Sequence, residues 1–110
     1  MPKEITATVT PSRRHCLRVH LDTSLPASLS GARRGTALVR DLALGGAFLE
    51  TEQHLVVGES VRLEIFAGLI HFQSAATVRN VTSEGVGVEF VRMNAEDRKL
   101  LRLLITKLLD

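Results

Sequence analysis

The sequence predicts a small all-β domain, a six-stranded antiparallel β-barrel with one C-terminal α-helix. Short stretches of alternating apolar and polar residues recur between residues 17 and 90, separated by polar and glycine-containing turns. Only the last segment has helical periodicity, with a favourable capping residue at its start. A chain of 110 residues with 45% hydrophobic residues can bury one core, so we expect a single domain.

The predicted strands follow one another along the chain. The first begins at Leu17 and continues through residues 25–29, where Pro26 indicates an edge strand or a bend. The other five are expected at residues 36–41, 47–51, 61–65, 70–79 and 86–90. Closure of these strands into a barrel would remove their exposed edges.

The C-terminal segment is predicted to be a helix over residues 94–109. Asn94 is a favourable N-cap, and Asp97 follows three positions later, as in a capping box. The apolar residues of this helix cover an arc of about 240°, which is wider than one packing face requires. One side is expected to close the barrel, and the remainder is either a contact surface for another subunit or partner or simply an apolar end.

The beginning of the chain differs from the rest. Residues 1–12 are polar and contain Pro2 and Pro11, so we predict a flexible arm that leads into the barrel domain at residues 13–110.

The single cysteine, Cys16, excludes an internal disulfide. No apolar stretch is long enough for a membrane span or has the form of a signal peptide. A cytoplasmic location is therefore expected.

The residues that could carry catalysis are scattered. The four histidines, at positions 15, 20, 54 and 71, lack the spacing of a metal site, and Cys16 has no second cysteine. His20 and His71 fall on the polar sides of their strands, as surface residues would. A glycine-rich phosphate loop and a nucleophile elbow are both missing from the sequence. The protein is therefore predicted not to be an enzyme, with no catalytic residue, metal or cofactor.

Binding to DNA or RNA is not expected either. The net charge is only +2, and the chain has no Trp or Tyr on which bases could stack. Two of its four Phe residues, Phe72 and Phe90, alternate as core residues. Basic charge without aromatic residues gives only weak attraction to phosphate. The arginines are instead concentrated in two short segments, at Arg13, Arg14 and Arg18 and at Arg33 and Arg34.

Two motifs in this sequence point to a family. The stretch R-H-C-L-R runs from Arg14 to Arg18, and the stretch D-L-A-L-G-G runs from Asp41 to Gly46 between two predicted strands. Together they resemble the RxxxR and [D/N]xSxxG motifs of the PilZ domain family. The segments SVRLEIF, GVGVEF and NAEDRKLLRLLI are similar to PilZ segments in the same order, so the resemblance covers about residues 12–109. It implies a PilZ-type barrel whose usual ligand is cyclic di-GMP, a bacterial second messenger.

The resemblance implies a role for each motif residue. Arginine pairs bidentately with phosphate and with guanine O6 and N7, which suits Arg14 and Arg18, while Arg13 assists or replaces Arg14. An ionised Asp41 only accepts hydrogen bonds, and its two oxygens match the N1–H and N2–H donors of guanine. Gly46 would allow a tight turn or a close approach of the ligand, and Gly45 is assigned to turn geometry.

One position departs from the family pattern, because Ala43 stands where the motif has serine. A lost neutral hydrogen bond costs about 0.5–1.5 kcal/mol, and an acceptor of the ligand that is buried without a hydrogen-bond partner costs about 1–3 kcal/mol. Binding is therefore expected to be weakened by between a few-fold and about a hundredfold, but not abolished. The alternative is a PilZ-like protein-interaction module that works without the ligand. The output is expected to pass through a protein partner, with the C-terminal helix as a candidate contact and a homodimer as one arrangement.

Overall fold

The computed structural model describes the backbone of residues 7–11 and 17–109 and the side chains of residues 18–109. These residues form, in chain order, β1 (Ala7–Pro11), β2 (Leu17–Ser30), β3 (Arg34–Leu42), β4 (Gly46–Glu50), β5 (Ser60–Ala67), β6 (Ile70–Val81), β7 (Val86–Arg92) and α1 (Ala95–Leu109). The strands pair antiparallel in the order β1-β2-β3-β4-β7-β6-β5, and β2 also pairs with β5. This last pairing closes β2 to β7 into the six-stranded barrel that the sequence predicts, with one C-terminal helix.

The barrel interior is filled by the apolar residues of the alternating pattern. Burial of one such side chain contributes about 1.5–3 kcal/mol, so the inward faces of the strands supply most of the stability. Phe72 is fully buried as predicted, whereas Phe90 is only partly buried and packs against the core. The largest fully buried side chains of the strands are Phe72, Leu21, Leu29, Leu42, Leu49, Leu63, Ile65, Val19, Val39 and Val78.

The long strand β2 changes partners along its length. Its register with β3 shifts between His20 and Leu25, which is the irregularity expected of a bend. The prediction of an edge at residues 25–29 holds only for Leu25 and Pro26, which pair with β3 alone, whereas residues 27–30 pair with β3 on one side and with β5 on the other. Pro26 is tolerated because it lies just before Ala27, where the ladder with β5 begins, so its missing N–H is not needed there.

The structure adds a strand where the sequence analysis placed part of a flexible arm. Residues 7–11 form β1 and pair with the first part of β2, from Ala7 opposite Leu21 to Pro11 opposite Leu17. The segment A-T-V-T-P contains three β-branched residues, which favour a strand, and it covers an edge of β2 that would otherwise be open. The rest of the predicted arm lies outside the described residues.

The helix α1 begins with the predicted cap. Asn94 Oδ1 accepts a hydrogen bond from the backbone N–H of Asp97 at 2.7 Å. The carboxylate of Asp97 does not complete the expected capping box. Its Oδ1 instead accepts a hydrogen bond from the backbone N–H of Gln73 at 3.1 Å, which links α1 to β6. Leu103 and Leu109 are exposed, and the buried face consists of Leu101, Leu104, Ile105 and Leu108. Among the described residues, no helix has the length and apolarity that a membrane span requires.

Candidate functional site

The start of β2 and the end of β3 bring several predicted site residues to one outer face. Val19 and Leu42 are register partners, and both are 0% exposed because they point into the core. Since side chains alternate along a strand, the next pair, His20 and Asp41, points outwards. Arg18, two residues before His20 on β2, is exposed and lies on the same side of the strand as His20. Ala43 directly follows β3, is partly exposed, and donates its backbone N–H to the carbonyl of Gly46. Arg18, His20 and Asp41 therefore share this face, and Ala43 follows in the turn after β3.

Asp41 is already engaged by a neighbouring side chain. Its Oδ1 lies 2.8 Å from His20 Nδ1, and because an ionised carboxylate can only accept, Nδ1 carries the proton and donates. The side chain of Asp41 is 18% exposed and that of His20 is 46% exposed, so the imidazole covers part of the carboxylate. The outward position of His20 is confirmed. Its bond to Asp41 was missed, although the polar side of β2 was the signal that could have suggested it.

A bulge in β3 brings a further charged residue to the same face. The register between β3 and β4 shifts between Val39 and Asp41, which leaves Arg40 without a residue opposite. Arg40 and Asp41 are both only partly buried, although they are consecutive. Arg40 Nη1 donates to Glu50 Oε1 at 3.1 Å. The bulge thus sets two charged side chains side by side, which strict strand alternation would not allow.

A groove of about 380 Å³ lies beside Asp41. Phe48 of β4 is the register partner of Asp41 and supplies an apolar wall. Two acidic residues, Glu50 and Glu84, also line it. A groove with this many carboxylates favours a ligand edge that donates hydrogen bonds and repels a phosphate. The full lining is His20, Arg40, Asp41, Phe48, Glu50, Ser83 and Glu84.

The turn that follows β3 assigns different roles to its two glycines. A Cβ on Gly46 would overlap the carbonyl oxygen of Val88 in β7, so the barrel itself requires glycine there, and not only a ligand. A Cβ on Gly45 would meet nothing within 4 Å, and the positive φ angles of the described glycines occur at Gly58 and Gly68. The turn geometry that was expected to explain Gly45 therefore does not require glycine.

Arg13 and Arg14 lie outside the described residues. The elements on either side of them are described, and Pro11 of β1 is the register partner of Leu17 of β2. Both ends of the connection that carries the two arginines are thus held at the start of β2, next to Arg18.

The remaining chemistry in the described part of the chain is limited. It contains no group of three or more His, Cys, Asp or Glu side chains that could hold a metal ion. The second basic segment, Arg33 and Arg34, lies at the other end of β2, beside a cavity of about 660 Å³ that Glu52 and Glu59 also line. This cavity contains two arginines and two glutamates, so it has no excess of positive charge to select an anion.

Comparison with known proteins places the chain among regulatory domains. A family model described as PilZ domain matches residues 12–107. The crystal structure of the PilZ domain of CeSA from a cellulose-synthesizing bacterium has a TM-score of 0.66 at 15% identity, over 84% of this chain and 98% of that chain. The structure of the Bacillus subtilis inhibitor of motility (MotI/DgrA) has a TM-score of 0.67 at 14% identity, over 99% of this chain and 77% of that chain. No curated protein matches the chain significantly by sequence.

The two kinds of comparison carry different weight. The structural likenesses, at their low identities, show the shared fold. The family match covers both motif segments and most of α1. Members of that family are binding and regulatory modules. The chain therefore belongs to the PilZ domain family, a family of cyclic di-GMP receptors.

Proposed function

We propose that this chain is a cyclic di-GMP receptor domain that binds its ligand on the outer face of β2 and β3. The observation that carries the proposal is the shared outward face of Arg18 and Asp41. Cyclic di-GMP has two phosphates and two guanines, so its site needs cationic donors for phosphate and an acceptor pair for the guanine edge. Arg18 and Asp41 supply these two chemistries on adjacent strands.

The charges around the site favour one orientation of the ligand. Glu50 and Glu84 lie on the β4 side of Asp41 and repel phosphate. Arg18 lies on the opposite side, and Arg14 precedes Leu17 by three residues, which span at most about 11 Å. The guanine edge is therefore expected at Asp41 and the phosphates beside the arginines.

Ligand binding is proposed to change the conformation of the arm that carries Arg13 and Arg14. Arginine side chains lose rotamer freedom when they hold a phosphate, so the bound arm has fewer conformations and a more defined surface. A protein partner that recognises this surface would convert ligand binding into an output. The exposed leucines of α1, Leu103 at 45% and Leu109 at 41%, are a second candidate contact.

Calorimetric titration of the purified domain with cyclic di-GMP at fixed, moderate salt tests the proposal. We expect saturable binding and a rise in melting temperature with ligand concentration. The absence of both signals at millimolar ligand would contradict the proposal. That result would favour the alternative, a ligand-independent protein-interaction module, which the alanine in place of the motif serine already supports.

Restoring the motif serine is expected to tighten binding. The side chain of Ala43 is partly exposed, so a hydroxyl fits there and can bond to the ligand. Such a bond contributes about 0.5–1.5 kcal/mol, so Ala43→Ser should lower Kd by about two-fold to tenfold in the same titration. Ala32→Ser, the same change on the exposed hairpin between β2 and β3, serves as the control. Equal affinities of parent and Ala43→Ser would show that position 43 does not contact the ligand.

The contact role of α1 is tested by a charge on its exposed face. Leu103→Glu should fold like the parent, because Leu103 is exposed, but it would place a charge in any apolar interface. We expect the parent with cyclic di-GMP to elute as a dimer in size exclusion with light scattering, and Leu103→Glu to elute as a monomer. Lys107→Glu, on the same helix, serves as the charge control. A parent that stays monomeric with ligand would contradict the homodimer.

A further inference from the structure

His20 lies within the proposed site but belongs to neither family motif. We propose that His20 is a positioning residue that orients the Asp41 carboxylate towards guanine and thereby sets the selectivity of the site for guanine over other bases. The inference rests on the proposed function, since it concerns how the same site reads its ligand.

The first support is the geometry of the pair. His20 and Asp41 are directly opposite each other on β2 and β3, and Nδ1 donates to Oδ1 over 2.8 Å. The terminal torsion of an aspartate is broad, so an unsupported carboxylate turns freely. One fixed donor on Oδ1 holds its plane. Each carboxylate oxygen has two acceptor positions. After the bond from His20, Oδ1 has one free acceptor position and Oδ2 has two, which is enough to accept guanine N1–H and N2–H.

The second support is the surroundings of the carboxylate. Arg40, the cation next to Asp41 in sequence, is engaged by Glu50 at 3.1 Å and so does not compete for Asp41. The side chain of Asp41 is also less exposed, at 18%, than that of Glu64, at 38%, in the other His–carboxylate pair of the described residues, His71–Glu64. Partial exclusion of water strengthens the hydrogen bonds that Asp41 makes.

Base selectivity follows from a carboxylate held in one orientation. Guanine offers two parallel donors, hypoxanthine lacks the N2 amino group, and adenine lacks N1–H. A fixed carboxylate makes two bonds to guanine but leaves one oxygen poorly paired against hypoxanthine, and sites built for two donors reject analogues that lack one. A carboxylate free to turn adapts to either base, so the loss of His20 should reduce the discrimination.

The test measures the affinities of cyclic di-GMP, cyclic di-IMP and cyclic di-AMP for the parent, His20→Leu and His20→Asn. The asparagine Nδ2 is the same number of bonds from Cα as the histidine Nδ1, so His20→Asn keeps a donor near Asp41, whereas His20→Leu removes it. His71→Leu removes the histidine of the other cross-strand pair and is the matched control. The side chain of His20 is about half exposed and lies outside the core, so its variants should stay close to the melting temperature of the parent.

We expect the parent to prefer cyclic di-GMP over cyclic di-IMP by about tenfold or more. His20→Leu should bind cyclic di-GMP about tenfold more weakly, and its preference should fall to within about three-fold. His20→Asn should recover most of the affinity for cyclic di-GMP and most of the preference over cyclic di-IMP. His71→Leu should match the parent in both quantities. A parent that binds while His20→Leu keeps the full preference overturns the role of His20 and leaves the proposed function intact. A parent that binds none of the three ligands overturns both.

Discussion

Arg18→Ala is expected to weaken the binding of cyclic di-GMP by about a hundredfold or more. A bidentate arginine–phosphate contact contains two charge-assisted hydrogen bonds, each worth about 1.5–3 kcal/mol, so their loss removes at least about 3 kcal/mol of binding free energy. About 1.4 kcal/mol corresponds to a factor of ten in Kd. The measurement is calorimetric titration of parent and variant at one salt concentration, because screening changes every phosphate contact.

Arg33→Ala is the matched control for this loss of charge. Arg33 is also exposed but lies on the hairpin at the far end of β2. Arg33→Ala should bind within about two-fold of the parent, since long-range attraction between exposed charges is largely screened. Similar losses in both variants would point to general electrostatic attraction and against a contact at Arg18. Since Arg18 is exposed, its variant should keep the melting temperature of the parent, which separates binding from folding.

Gly46→Ala is expected to give the largest loss of stability among single methyl additions to the motif turn. The added Cβ would overlap the carbonyl oxygen of Val88, which is backbone and cannot move aside without opening the β4–β7 ladder. Forced overpacking costs about 1–3 kcal/mol, and we expect about 3 kcal/mol here because the obstacle is not a flexible side chain. The melting temperature should fall by about 12 °C or more in a thermal denaturation experiment.

Gly45→Ala supplies the comparison, because an added Cβ there has open space and the φ angle is not in the left-handed region. Its free energy of unfolding should stay within about 0.5 kcal/mol of the parent. A change in ligand affinity without a change in stability would then show that the ligand, and not the fold, requires glycine at position 45. Equal free energies of unfolding for Gly46→Ala and the parent would mean that the backbone of β7 can shift to accommodate the added Cβ, contrary to this prediction.

The barrel was predictable because every strand of it has one face in the core. In β6 the apolar residues of the alternating pattern are buried and most polar ones face outwards, as at Phe72 and His71. Ser74 is the exception, a buried polar residue whose hydroxyl donates to the backbone carbonyls of Ala75 and Arg92. Such a pattern indicates both the strand and its inward side, and the expected strand at 70–79 is observed as Ile70–Val81. The cap at Asn94 was equally local, since it depends on contacts within one helical turn.

The features of the fold that the sequence did not predict depend on pairing between distant segments. β1 is only five residues long and ends in Pro11, so its β-branched residues do not by themselves indicate a strand, and the open edge of β2 is also needed. Pro26 indicated an edge because proline lacks an N–H, but the ladder with β5 that closes the barrel starts one residue later, at Ala27, and includes the rest of the predicted edge. Neither outcome can be read from a single segment.

The chemistry of the site was predictable from its motifs, but its geometry was not. The motifs named Arg18 and Asp41 as a cation and an acceptor, and the structure sets them on one face. The bond between His20 and Asp41 requires the register of β2 with β3, and that register changes further along the strand. The exposure of Arg40 requires a bulge that breaks the alternation from which strand faces are inferred.

The strand that carries Arg18 and His20 also closes the barrel, and this affects when the site comes into existence. Ala27 of β2 pairs with Ile65 of β5, and the whole of β3 and β4 lies between them in the chain. Contacts between distant parts of a chain form only after a loop-closure entropy has been overcome, and folds dominated by them take milliseconds to seconds to form. A ribosome must therefore release β5 before the second half of β2 gains its second neighbour and the barrel closes. We therefore expect the closed barrel to form only on complete domains, so that partly synthesised chains do not bind the proposed ligand.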